Sequence, residues 1–125
     1  MSQTLDQQRA ALAWGYATEA MKTGFAKKYR NLAKGGPALI MNSGLMPTLA
    51  FYNSKDLEHK ALLADLLAGL SQRLKPSPQP TGFQAFMVHL QKSESRDYLR
   101  YTDEALELLK WIRQFVDAVE TQEVR

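Results

Sequence analysis

The side chains in this sequence best suited to bind a ligand are cations. Between Ala20 and Lys55 every charged residue is basic: Lys22, Lys27, Lys28, Arg30, Lys34 and Lys55. Ammonium and guanidinium groups with no intervening carboxylate attract phosphate backbones, because each neutralised phosphate releases a condensed counterion. An ordinary solvated helix face has the same composition, so the run carries both readings. Arg73 and Lys75 form a smaller second set. Tyr29 and Tyr52 offer rings on which bases stack, at about 1–3 kcal/mol per base. Core packing with the hydroxyl at the surface is the expectation for both. The acids gather later in the chain, as Glu94, Asp97, Asp103, Glu104, Glu107, Asp117, Glu120 and Glu123. The expected molecule has a basic flank for phosphates and an acidic flank for a basic protein neighbour.

Catalytic chemistry is harder to find. His59 and His89 lie far apart, with no ligand at metal-site spacing, so no metal is expected. His89 reads as a packed or solvent-edge histidine, and His59, beside Asp56 and Glu58, as part of a helix surface. Glu104 and Glu107 share a helix turn and read as a solvated face rather than an acid/base pair. Gly35-Gly36-Pro37 lacks the lysine and hydroxyl of a phosphate loop, and no nucleophile elbow is present. With no cysteine there is no thiol nucleophile or disulfide framework. The chain is expected to be neither an enzyme nor the holder of a cofactor.

The elements that must position these residues are helical. At 125 residues, 45% hydrophobic and 23% charged, the chain has ordinary globular values for one domain. Leu5, Leu12, Tyr16 and Ala20 recur at helical spacing and predict a helix over 5–22, opened by a Thr4–Gln7 capping box. Phe25, Tyr29, Leu32 and Ala33 predict a second, stopped at Gly35-Gly36-Pro37. Short helices follow over 38–42 and 48–53, the first closed by Gly44. Ser54 opens a central helix whose stripe is Leu57, Ala61, Ala64, Leu67 and Leu74, widened by Leu62, Leu63, Leu66 and Leu70. Pro76, Pro78 and Pro80 break the helical pattern over 76–82. Phe83, Phe86, Met87 and Leu90 mark the next helix, 93–97 is a polar joint, and the last helix runs over 96–121. Trp14 and Trp111 fall within helical stripes and read as buried anchors. No segment alternates with period two. The fold class is all-α: a single-domain bundle of about five to seven helices over 1–125, with a Pro-rich internal connection at 76–82.

The order of several blocks is distinctive. Tyr29-Arg30-Asn31-Leu32-Ala33-Lys34 is followed by Pro37-Ala38-Leu39-Ile40, Ser43-Gly44-Leu45 and Thr48-Leu49-Ala50-Phe51. With Arg9-Ala10-Ala11-Leu12-Ala13-Trp14 early, and Tyr98 to Leu106 and Leu109-Lys110-Trp111 late, the sequence resembles the small subunit of the type III-B CRISPR effector, the fifth protein of the Cmr complex. The Pro-rich segment at 76–82 departs from the family pattern. The resemblance implies an all-helical, non-nucleolytic subunit that stacks beside the backbone filament and lines the channel holding CRISPR RNA paired with target RNA. Its implied partners are the backbone subunit, the large polymerase-like subunit, neighbouring copies of itself and the two RNAs.

Met1 to Asp6 lack a basic region followed by an apolar stretch, so no secretory signal is expected. No apolar run approaches the about 20 residues that span a bilayer, and the expected location is cytoplasmic. Lys27, Lys28, Arg30 and Lys34 are the expected backbone contacts, with Lys22 and Lys55 beside them and Arg73 and Lys75 as the second set. The alternative is a helical adaptor whose basic flank meets an acidic protein without touching RNA.

Overall fold

The computed structural model describes residues 2–119. Among them are six helices and no strand: α1 (Leu5–Ala20), α2 (Ala26–Ser43), α3 (Leu45–Asn53), α4 (Leu57–Leu74), α5 (Phe83–Lys92) and α6 (Ser95–Ala118). None is long and apolar enough to cross a membrane. Thr121, the expected end of the last helix, lies outside the described residues, as do Glu120 and Glu123.

α6 is the helix around which the others pack, with α1, α2 and α4 against it. Arg9 meets Glu104 and Trp14 meets Phe115, so α1 runs parallel to α6. Arg30 meets Asp117, and Gly36 lies against Leu109, so α2 runs antiparallel to it. Gly69 against Leu108 and Arg73 against Glu104 give α4 the same antiparallel sense. α3 lies across α2 and α4, and α5 contacts α3. Leu62, Leu66 and Leu70 of α4 meet Leu108, Leu109 and Ile112 of α6 in one core, joined by Tyr29, Ala33 and Ile40 of α2. Each large apolar side chain withdrawn from water contributes about 1.5–3 kcal/mol.

The α1 capping box is present as expected. The Gln7 amide donates to Thr4 Oγ1 at 3.1 Å, and the Thr4 amide donates to Gln7 Oε1 at 2.8 Å. α1 buries Ala13, Ala17 and Ala20, small residues that let it approach α6 closely. Trp14, next to Ala13, is thereby turned to the flank. It is 47% exposed and meets Phe115 edge-on at 5.0 Å, so it is not the buried anchor expected. Leu57, expected in the apolar stripe of α4, is also exposed: α4 begins there with Asp56 as its N-cap, two residues later than a helix opened by Ser54 would, and Ser54 instead ends α3.

The largest departure from expectation is at Gly35-Gly36-Pro37, which does not stop α2. The helix continues through Pro37 to Ser43 and replaces the two shorter segments expected. Pro37 removes one backbone donor, at a cost of ~3 kcal/mol in a helix interior. Continuing the helix buries Ile40 and keeps α2 docked along α6. Gly36 serves that docking: a Cβ there would stand 3.0 Å from Leu109 Cδ1 and 3.3 Å from the Tyr52 hydroxyl. Gly36→Leu is therefore expected to push α2 off α6 and cost about 1–3 kcal/mol. Thermal unfolding of the purified variant measures it, and an unchanged midpoint would show that the α2–α6 contact has slack. The chain reverses only at Gly44, whose φ of +94° suits glycine.

Candidate nucleic-acid interface

A helix turns by about 100° per residue, so α2 divides its own cations. Lys27, Arg30 and Lys34, spaced three and four apart, share one exposed side. Lys28 lies about 100° round, over a different neighbour. Tyr29, Ala33 and Gly36 occupy the opposite, buried side. Tyr29 and Tyr52 are both fully buried, and no base could stack on either. The Tyr29 hydroxyl does not reach the surface but donates to Asp65 Oδ2 at 2.6 Å. Burial first, and the neighbouring Asp65 charge second, raise the Tyr29 pKa.

The exposed side of α2 meets the end of α6. Lys34 Nζ lies 2.9 Å from Asp117 Oδ2, and Arg30 Nε lies 3.5 Å from Asp117 Oδ1. Arg30 also donates to the Val116 carbonyl at 3.4 Å. These pairs are partly exposed and contribute about 0–1 kcal/mol each, so a phosphate can displace Asp117 at little cost. Lys27 and Lys28 have no carboxylate within 4 Å among the described residues. Lys22 sits beyond α1, paired with Glu19 at 3.5 Å.

Lys28 faces a second feature. The starts of α2 and α4 border an open hollow that also carries Lys55 and Lys60. Lys55 Nζ lies 5.2 Å from the Phe51 ring centre. Lys60 was not among the expected contacts, because nothing in the chain order puts it beside Lys28. Asp56, Glu58 and His59 border the same region, and their donor atoms lie within 4.8 Å of one another. His59 Nδ1 is 3.3 Å from Glu58 Oε2, and Glu58 is buried rather than on the surface expected.

The second cationic set is not part of this surface. Arg73 points inward with only 11% of its side chain exposed. Its Nε is 3.3 Å from Glu104 Oε2, and its Nη1 donates to Gln8 Oε1 at 3.0 Å. Lys75 ends α4 in the left-handed region, at φ 49°. The length of α4, roughly 27 Å at 1.5 Å per residue, separates both from the Lys28 hollow. Two of the later acids are likewise drawn into pairs with earlier helices rather than left on a separate flank. Glu104, expected on a solvated face, is buried and binds Arg9 of α1, while Asp117 binds α2. Their helix is the one on which α1, α2 and α4 pack, so acids distant in sequence become partners of the early cations.

This bundle and its order of blocks have counterparts among known proteins. The family model described as CRISPR-associated protein (Cas_Cmr5) matches residues 5–119, from the first residue of α1 to just past the end of α6. The chain belongs to the Cmr5 family. Cmr5 relatives include the CRISPR system Cmr subunit Cmr5 of Thermus thermophilus, 32% identical over 117 residues that cover 93% of this chain and 96% of that one. A crystal structure of a CRISPR-associated Cmr5 family protein, also from Thermus thermophilus, superposes with a TM-score of 0.75 at 31% identity, covering 94% of this chain and all of that one. The Cmr5 likeness therefore extends over both sequence and fold, the 75–82 connection included within the matched range.

Proposed function

We propose that this chain is the non-catalytic small subunit of a type III-B (Cmr) interference complex, supporting the duplex of CRISPR RNA and target RNA beside the backbone filament in the cytoplasm. Family membership supports the assembly, and the exposed side of α2 supports the contact with RNA. Lys27 and Lys34 lie seven residues, about two helix turns, apart on one side, with Arg30 between them. Such a row follows a phosphate backbone without reading bases. That suits a complex in which guide pairing carries the sequence specificity. Lys28 and Lys55 extend the contact into the adjoining hollow, and Lys22 lies at its edge.

The test is co-purification of the tagged protein from its own cells, beside a Lys27→Glu, Lys28→Glu, Lys34→Glu variant. CRISPR RNA and other Cmr subunits are expected with the unmodified chain. The variant is expected to lose about tenfold or more in RNA recovery, and the log–log salt slope of duplex binding to fall by about two to three. Undiminished RNA recovery in the variant rejects the α2 contact, and absence of both RNA and Cmr subunits from the unmodified chain rejects the assembly. One observation favours an adaptor as the second reading: Asp117 already shows that this row takes a carboxylate, at 2.9 Å from Lys34. If the variant loses its protein partners even after ribonuclease treatment, the row binds an acidic protein.

A further inference from the structure

A second cationic site stands at the other end of the bundle. α5 ends at Lys92 and α6 begins at Ser95, and the two-residue corner turns Lys92 and Arg100 toward one cavity of about 300 Å³. The cavity is also lined by Leu74, Pro76, His89, Tyr101 and the acid Asp97. Neither Lys92 nor Arg100 has a carboxylate within 4 Å among the described residues. Two cations and one acid line the cavity, so its lining carries a net positive charge that favours an anionic ligand.

The wall is rigid. His89 Nε2 lies 2.9 Å from the Tyr101 hydroxyl, and the two rings meet edge-on at 5.5 Å. Phe86 braces both, at 6.2 Å from His89 and 5.8 Å from Tyr101. After burial, Asp97 raises and Arg100 lowers the Tyr101 pKa, so both charges act at the same hydroxyl. Arg100 and Lys92 suit a phosphate, the guanidinium through its fork of parallel donors. Asp97 would repel a bare anion, but it accepts a hydrogen bond from a hydroxyl carried beside one. A ribonucleotide has that combination, and its 2′-hydroxyl is the group that separates RNA from DNA at a protein surface.

We propose that this cavity binds a ribonucleotide, with Lys92 and Arg100 holding its phosphate and Asp97 accepting from its ribose hydroxyl. The site lies about 25 Å along α6 from Asp117 and the α2 row, and it does not depend on that row binding RNA. Amide NMR titration of the whole chain tests it, with adenosine monophosphate, its 2′-deoxy counterpart, inorganic phosphate and a short oligouridine. Adenosine monophosphate is expected to give saturable shifts in the amides of residues 93–101. The deoxynucleotide and a Lys92→Ala, Arg100→Ala variant are each expected to bind about tenfold more weakly, for the loss of charge-assisted hydrogen bonds. Both replaced side chains are exposed, so unchanged unfolding of the variant separates lost binding from lost fold. The same shifts with oligouridine would make the natural ligand a nucleotide of an RNA strand; shifts with the mononucleotide alone would make it a free nucleotide. Either upholds the site. Absence of saturable shifts, equal binding by the double variant, or binding of the deoxynucleotide or of inorganic phosphate as tight as that of adenosine monophosphate would overturn it.

Discussion

Glu104→Ala is expected to destabilise the bundle by about 3–5 kcal/mol, because it removes the buried anion that two largely enclosed cations share. The Glu104 carboxylate is only 4% exposed and accepts two hydrogen bonds from Arg9, at 2.8 and 2.9 Å. Arg73 Nε adds an electrostatic contact at 3.3 Å. The Glu104 hydrogen bond raises the Arg9 pKa against the opposing effect of burial. A buried ion pair adds little over an apolar filling, because desolvation offsets the attraction. Removing one partner is different, since it leaves two guanidinium groups largely buried without their shared anion. Asp6 and Glu107, each 3.8 Å from Arg9, are more exposed and compensate only in part. Thermal unfolding is expected to fall by ~10–20 °C. A loss below ~1 kcal/mol would show that Arg9 and Arg73 regain water when the carboxylate goes. Because Arg9, Arg73 and Glu104 tie α1, α4 and α6 together at one end, the variant should also lose amide-exchange protection there first.

Asp65→Asn is expected to act in the opposite direction, stabilising the protein at neutral pH by about 2–3 kcal/mol. Burial raises the Asp65 carboxyl to about 6, with the hydrogen bond from Tyr29 opposing the shift. The unfolded value is 3.8. Between those values the native state holds a proton that the unfolded state has released, so stability falls as pH rises from about 4 to 6. Two units of difference correspond to ~3 kcal/mol at most. Asparagine keeps an oxygen to accept from Tyr29 and carries no charge to desolvate. Urea unfolding at about pH 4.5 and about pH 7 checks this: the unmodified protein should be more stable at the lower pH, and the variant should lose most of that difference. A variant less stable at neutral pH would mean that the ionised carboxylate, held by Tyr29, is a net support of the fold.

Most of the fold is legible because helical periodicity is a local property. The Thr4–Gln7 cap, the α4 leucines and the α6 stripe are set by neighbours within a turn or two, and each element appears close to its expected place. The continuity of α2 through Pro37 is not local. It depends on Gly36 meeting Leu109 on a helix far along the chain, and on the burial of Ile40. Trp14 likewise carries the same hydropathy whether it faces the core or the flank. Its orientation follows from the small residues beside it, which draw α1 onto α6.

The candidate site divides along the same line. The cations of α2, their three-and-four spacing and the family to which the chain belongs can all be read without coordinates, since composition and order are written in the chain. Which cations face outward together is settled by packing. It buries the side of α2 opposite Lys27, Arg30 and Lys34, puts Lys28 with Lys55 and Lys60, and turns Arg73 inward to Glu104. Packing also pairs Lys34 with Asp117 and Arg9 with Glu104. Charge interactions depend on distance in space rather than along the chain, and the docking of α1, α2 and α4 on α6 sets that distance.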